Sequence, residues 1–267
     1  MLRFLESMQF MLFVFFTAAY AYQIVYLFVG LIGKGRGGRE NAKLHRYAAV
    51  VAARNESAVI ANLIRTLKEQ NYPSELLDIY VIADNCTDNT AQISRQAGAY
   101  VYERFNKVQV GKGYALEYLF HHIFEDKGET AYDGFFVFDA DNIVDRDFVR
   151  EMNKMFDTGE YTALTSYRNS QNFCANWISA GYALWFLRES RFLNRPRTQL
   201  GVNCAVSGTG FLVSAQAVRE DAGWPYHLLT EDIEFSVSEI IDGEKIGFAP
   251  DAELYDEQPI TFRQSWK

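Results

Sequence analysis

The chain has 267 residues, 49% hydrophobic and 15% aromatic, which is enough to bury one large core or two small ones and excludes disorder. A formal net charge of -8 excludes the broad basic face that a nucleic-acid partner needs. Cys86, Cys174 and Cys204 are odd in number and far apart, which suggests neither a disulfide framework nor a zinc-ligand spacing. Three reduced, mostly buried thiols in a cytosolic domain are the simplest account. His45, His121, His122 and His227 lack metal-ligand spacing too.

Residues 10–32 contain no charged side chain, and about 23 residues rising 1.5 Å each give about 34 Å, enough to cross a bilayer. Tyr20, Tyr22, Gln23 and Tyr26 predict a face of this span packed on other helices. Ala19-Tyr20-Ala21 has the form of a signal-peptide cleavage site, yet the apolar run continues to Ile32 and Glu6 dilutes the basic start. An uncleaved membrane helix over residues 1–33 is expected. Lys34, Arg36, Arg39, Lys43 and Arg46 follow it, against Arg3 alone in front. The positive-inside rule therefore puts the remainder of the chain on the cytoplasmic side of the cell membrane. The glycines of 33–38 spell GxGxxG, but they follow a span instead of a strand, so residues 34–45 are read as a flexible basic linker touching anionic headgroups.

From Tyr47 onward, strands are predicted over 48–53, 78–84, 100–102 and 135–138. Helices are predicted over 57–70, from about 87–88, over 114–124 and from 146. Such alternation implies an α/β domain over 46–267, Rossmann-like, with a mostly parallel sheet flanked by helices and right-handed crossovers. Ala53-Arg54-Asn55-Glu56, Asp84-Asn85 and Asp139-Ala140-Asp141 then meet along one sheet edge, where ligands of open α/β sheets collect.

The run Phe135-Phe136-Val137-Phe138 reads as a central strand covered on both faces. Asp139 and Asp141, two apart in extended chain, share one side of a crevice. A hard cation, Mg2+ or Mn2+, takes one or two carboxylates and completes its shell with water and phosphate oxygens, as a nucleoside diphosphate would provide. The plainer account is a turn that caps the helix from Arg146. A calcium loop is excluded, since Ile143 and Val144 stand where an oxygen ligand and a glycine are needed.

Over 176–192, Trp177, Ile178, Gly181, Tyr182 and Trp185 recur at helical spacing, and Arg188, Arg191, Arg195 and Arg197 follow. This is either a core stripe or an aromatic and basic helix at headgroup level. Trp224 and His227 are candidates to stack on or hydrogen-bond an acceptor sugar, against a hydrophobic staple and a loop histidine. In Thr230-Glu231-Asp232, Thr230 suits an N-cap and the acids suit the helix dipole. Transfer onto a hydroxyl also needs a carboxylate to take its proton, and Asp232 is the candidate base.

Together, Val51-Ala52-Ala53-Arg54-Asn55-Glu56, Ile82-Ala83-Asp84-Asn85-Cys86-Thr87-Asp88, Gly111-Lys112-Gly113, Asp139-Ala140-Asp141, Ser207-Gly208-Thr209-Gly210 and Thr230-Glu231-Asp232 resemble family 2 glycosyltransferases of the GT-A fold. The resemblance covers about 46–260 and implies inverting, metal-dependent transfer from a nucleotide sugar, most often a UDP-sugar. It assigns donor binding to Ala53, Arg54, Asn55, Glu56, Asp84, Asn85, Lys112 and Asp139. It assigns the metal to Asp141 with Asp139, the acceptor border to Gly208, Thr209, Gly210, Trp224 and His227, and catalysis to Asp232 with Glu231. The subgroup resembled is the membrane polysaccharide synthases, acting on a glycan or lipid-linked acceptor. Residues 257–267 resemble the run before their Gln-x-x-Arg-Trp motif, which is absent here, so a chain stopping short of further membrane helices is expected.

Three alternatives remain. Transfer of one sugar to polyprenyl phosphate is disfavoured by the amino-terminal span. Sugar-phosphate nucleotidyl transfer needs a glycine-rich loop where Ala53-Arg54-Asn55-Glu56 stands, and Gly111-Lys112-Gly113 lacks the rest of a P-loop. A catalytically silent nucleotide-sugar-binding membrane module is the last.

Overall fold

The computed structural model describes residues 2–33 and 37–266. Helices α1 (Leu2–Tyr20) and α2 (Tyr22–Ile32) are separated by one turn residue, Ala21. Arg3–Ile32, with mean hydropathy 1.8, is long and apolar enough to cross a membrane.

The expected packed face of the span is present only in part. Gln23 accepts a hydrogen bond from Arg188 at 3.2 Å, and the Gly33 carbonyl accepts one from Arg195 at 3.2 Å. Gly30 is buried, and a Cβ there would lie 2.7 Å from the Arg191 carbonyl oxygen. Tyr20 and Tyr22 point away and are exposed. Of the basic linker, Lys34, Gly35 and Arg36 lie outside the described residues. From Gly38 onward the expectation of a flexible linker is corrected. Gly38 is pressed against the Lys154 backbone, and Arg39 pairs with Asp157 at 3.4 Å.

The sheet is formed by β1 (Tyr47–Ala53), β2 (Leu77–Asp84), β3 (Tyr100–Arg104), β4 (Gly134–Asp139), β5 (Ile143–Val144), β6 (Ala163–Ser170), β7 (Phe211–Ser214) and β8 (Ile246–Asp256). The helices between them are α3 (Ile60–Lys68), α4 (Thr90–Gln96), α5 (Lys112–Lys127), α6 (Phe148–Phe156), α7 (Trp177–Glu189), α8 (Arg195–Gln199), α9 (Ala215–Glu220) and α10 (Glu231–Ile241), with α11 (Phe262–Ser265) after β8. A single π-helical turn, Ser190–Asn194, joins α7 to α8.

Strand order is β3-β2-β1-β4-β7-β6-β8-β5. The first four strands are parallel, as predicted; β7 then runs antiparallel to both β4 and β6, and β8 is parallel to β6. Because side chains alternate along a strand, Ala49, Val51, Phe136 and Phe138 pack with α3 and α6, while Ala48, Val50, Phe135 and Val137 pack with α5 and α10. Burial on both faces explains why β1 and β4 read as unbroken apolar runs.

Two predicted boundaries move for local reasons. Helix α3 begins at Ile60, since Asn55 adopts a left-handed conformation (φ +58°) and the next two backbone N–H groups are drawn away. Glu56 donates to the Thr90 hydroxyl at 2.8 Å and Ser57 to the Asp88 carboxylate at 3.2 Å. Nor does the Asp139 turn cap a helix: Ile143 and Val144 pair with β8 first, and α6 starts at Phe148. The thiols also differ from expectation, for only Cys204 is buried, Cys86 is half-buried and Cys174 is exposed.

Candidate active site

A cleft of about 580 Å3 opens at the carboxyl ends of β1, β2 and β4. Ala53, Arg54, Glu56, Asp84, Lys112, Asp139 and Asp141 line one wall, and Arg168, Asp256, Glu257 and Gln258 the other.

On the first wall Asp84 is buried and paired with Arg104 at 2.7 Å, both side chains being under a tenth exposed. Asn55 and Asn85 do not line this cleft. Both occupy left-handed backbone positions, which Asn tolerates better than most residues, and their amides brace the strand ends. Asn55 Oδ1 accepts from the Thr87 N–H at 2.8 Å, and Asn85 donates to Asp84 at 3.1 Å and to the Asn106 carbonyl at 2.9 Å. They hold the turns that carry Arg54 and Asp84. Burial, then the nearby carboxylates of Asp88 and Asp139, raises the pKa of Glu56.

Lys112 opens α5, and its ammonium reaches three places. It lies 2.6 Å from Asp139 and 3.6 Å from Glu231, and it donates to the Gly208 carbonyl. Desolvation works to lower its pKa, but Asp139 and Glu231 outweigh that and the net shift is upward, so the ammonium stays charged. The following Gly113 is obligatory, since a Cβ there would come within 1.9 Å of the Tyr226 carbonyl oxygen. This close approach brings the segment before α10 onto α5. His227 stacks on Tyr114 at 4.0 Å between centroids, and its Nε2 lies 2.9 Å from Glu117.

Glu231 is buried, and desolvation raises its pKa against the opposing pull of Lys112. Thr230 makes no side-chain capping bond, contrary to its predicted role; Asp232 accepts from the Ile233 N–H at 2.9 Å and Glu234 from the Leu228 N–H at 3.0 Å. A Cβ placed on Gly208 would lie 3.5 Å from Asp232 Oδ2, so the glycine leaves that carboxylate unobstructed on this side. Gly210 is glycine for packing, because a Cβ would fall 1.8 Å from Leu254.

Two acceptor-side expectations are corrected. Thr209 is 2% exposed and its hydroxyl is fully used, donating to Asn142 Oδ1 and accepting from the Asp139 N–H at 2.8 Å. It acts on the Asp139 turn and presents nothing to an acceptor. Trp224 is 1% exposed, packed with Phe120, Phe211 and Phe235, and its ring is covered on the core side of the sheet.

Asp141 is the most perturbed acid of the cleft. Burial, then the charges of Asp256 and Asp139, pushes its pKa up to about 7. Among the described residues no three His, Cys, Asp or Glu side chains are grouped to hold a metal unaided. Mg2+ or Mn2+ needs only one or two carboxylates where substrate phosphates complete its shell. The uncompensated negative charge at Asp141 and the all-oxygen donors with Asp139 fit such an ion.

The second wall contains Arg168 and Asp256, which no sequence pattern singled out. Arg168 on β6 forks onto the carboxylate of Asp256, at the end of β8, and its guanidinium lies 4.3 Å over the Phe186 ring. Asp256 also accepts from Asn142 at 3.0 Å and from Gln258 at 3.0 Å. Asn142 is fully buried and donates from the turn that carries Asp141. Its position directly after Asp-Ala-Asp was a usable signal. Arg168 had none, because only the sheet order places β6 beside β8.

Comparison with known proteins agrees with this architecture. The mannosyltransferase PcManGT of Pyrobaculum calidifontis, solved with GDP-Man and Mn2+, superposes with a TM-score of 0.70 over 95% of this chain and 70% of that one, at 17% identity, and so shares the fold. The beta-monoglucosyldiacylglycerol synthase of Synechocystis sp. is 26% identical over 222 residues, covering 81% of this chain and 45% of that protein. A poly-beta-1,6-N-acetyl-D-glucosamine synthase of Staphylococcus epidermidis is 22% identical over 232 residues, covering 85% and 54%. This chain thus spans about half the length of the curated relatives it matches. Residues 45–267 match the family described as Glycosyltransferase like family 2, and the chain belongs to that family.

Proposed function

We propose that the protein transfers a sugar from a nucleoside-diphosphate sugar, expected to be a UDP-sugar, to a hydroxyl of a glycolipid or glycan acceptor at the cytoplasmic face of a membrane. The observation that carries this reading is Lys112, which links the strand-end carboxylate Asp139 to the first turn of α10 where Asp232 stands. In this reading Lys112 is the cation that meets the diphosphate, and Asp232, in the helix turn beside it, is the carboxylate that deprotonates the alcohol.

In this reading Asp232 takes the acceptor proton as the oxygen attacks the anomeric carbon from the face opposite the diphosphate. The bond from that carbon to the diphosphate oxygen breaks and the configuration inverts. Lys112 compensates the charge that collects on the departing group, fixed donors being most effective where water is excluded. Asp141 and Asp139 would hold a divalent ion, which would supply Lewis-acid stabilisation of the departing diphosphate. Ala53, Glu56 and Asp84 line the part of the cleft where the nucleoside is expected.

The test is turnover of a panel of UDP-sugars with Mn2+ by membranes carrying the protein. Asp232→Asn should lower turnover by about 10²–10⁴-fold while UDP binding persists. Unchanged turnover in that variant removes the base, and unchanged metal dependence in Asp141→Asn removes the metal assignment.

A further inference from the structure

We infer that the groove between α7 and α11 holds the hydrocarbon portion of a lipid acceptor, with the lipid's hydroxyl-bearing end directed at the donor cleft. The inference rests on the transfer reading above and names the acceptor class for it. The groove has a volume of about 600 Å3 and is walled by Trp177, Ile178, Tyr182, Trp185 and Phe186 of α7 and by Phe262 of α11.

Two residues, Arg168 and Gln258, line this groove and the donor cleft alike, so the two spaces adjoin. Arg168 makes the division chemically sharp. Its guanidinium is held by Asp256 on the cleft side, and its flat face rests on Phe186 on the groove side. A molecule lying across this boundary meets charge at one end and an aromatic and aliphatic wall at the other, which is the polarity of a lipid.

The occupant follows from what lies beside α7. Arg188 bonds to Gln23 in the apolar helix pair, and Gly30 of that pair presses on the backbone just after α7. The helix that walls the groove is therefore docked, through its carboxyl end, on the segment able to cross a membrane. On the same helix Trp177 is 71% exposed and Trp185 and Leu184 are 58% exposed, the aromatic and aliphatic composition that suits a bilayer surface. Gly181 faces the groove with open space: a Cβ there meets nothing within 4 Å.

Gly181 supplies the test, since a larger side chain fills the groove without strain. The probe is a diacylglycerol carrying a diazirine in one acyl chain, photolysed with the full chain in phosphatidylcholine nanodiscs and mapped by mass spectrometry. Labelling is expected on 177–186 and on Phe262, falling at least fivefold with excess dioleoylglycerol and with Gly181→Phe, while UDP affinity in Mn2+ stays the same. If Gly181→Phe loses UDP affinity, Trp185→Ser at an exposed position takes its place and must show the same fall. Labelling confined to α1 and α2, labelling indifferent to both substitutions, or displacement by a soluble oligosaccharide instead of by diacylglycerol would each overturn the inference. Expected labelling in a protein that binds no UDP would sink the transfer reading and leave the lipid groove standing.

Discussion

The two walls of the cleft solve the same electrostatic problem in different ways. On the first, Asp84 is matched inside the protein by Arg104, and Lys112 is shared among Asp139, Glu231 and a backbone carbonyl. On the second, one carboxylate, Asp256, collects Arg168, Asn142 and Gln258. Between them Asp141 is held up by burial and by the like charges of Asp256 and Asp139. Within the cleft the strongest carboxylates on either wall are matched by cations or amides, whereas Asp141 carries the largest upward shift among the cleft's acids, which is where a bound ion would be most favoured.

Breaking that contrast should have its largest effect at the buried pair. Asp84→Asn leaves Arg104 charged and enclosed, and unfolding free energy should fall by about 3–5 kcal/mol in a denaturant titration; a loss below about 1 kcal/mol would show that the pair does not bear on stability. Lys112→Met removes the shared cation and should cut turnover by about 10²–10³-fold, the scale of losing one fixed donor to a developing charge. A variant keeping turnover within a few-fold of the parent would assign Lys112 to structure alone.

Arg168→Met tests the second wall. It should raise the KM for acceptor by about tenfold, within the few kcal/mol that one lost contact is worth, and leave the donor KM nearly unchanged; equal changes in both would dissolve the distinction between the walls. The smallest effect concerns pH. With its pKa near 7, Asp141 holds a proton that a metal must displace, so Mn2+ affinity measured by calorimetry should weaken by about tenfold per unit below pH 7 and level off above it. In the metal-free protein a raised carboxyl pKa favours folding at low pH, and that contribution is lost as pH rises through 7. Asp141→Asn should accordingly stabilise the metal-free protein at pH 8 by about 1–2 kcal/mol, the partly buried site being screened by water.

What the sequence revealed divides along the same line. The four parallel strands are adjacent or nearly so in sequence, covered on both faces, and each carries its polar residues just past its end, so alternation and apolar runs suffice to place Ala53, Asp84 and Asp139 on one edge. The second wall depends on long-range pairing. β6 lies beside β8 across 75 residues of chain, with a register shift between Ser166 and Tyr167, and no local pattern encodes that neighbour. Trp224 misled for a related reason: an aromatic residue in a loop before a helix looks available, and only the packing of Phe120, Phe211 and Phe235 around it makes it core. The span's length was legible, but its docking through Gln23 and Gly30 was only partly so, since Tyr20 and Tyr22 suggested the same face and point elsewhere.

Gly30 is where that docking is tightest, because its missing side chain lets α2 sit directly on the carbonyl of Arg191. The catalytic body is consequently not a float on a slack rope. Were α1 and α2 to cross a bilayer, any lean that a thinner or thicker membrane imposed on them would be passed to the segment after α7. Bilayer thickness would in that case reach the fold through this contact instead of being absorbed by a linker.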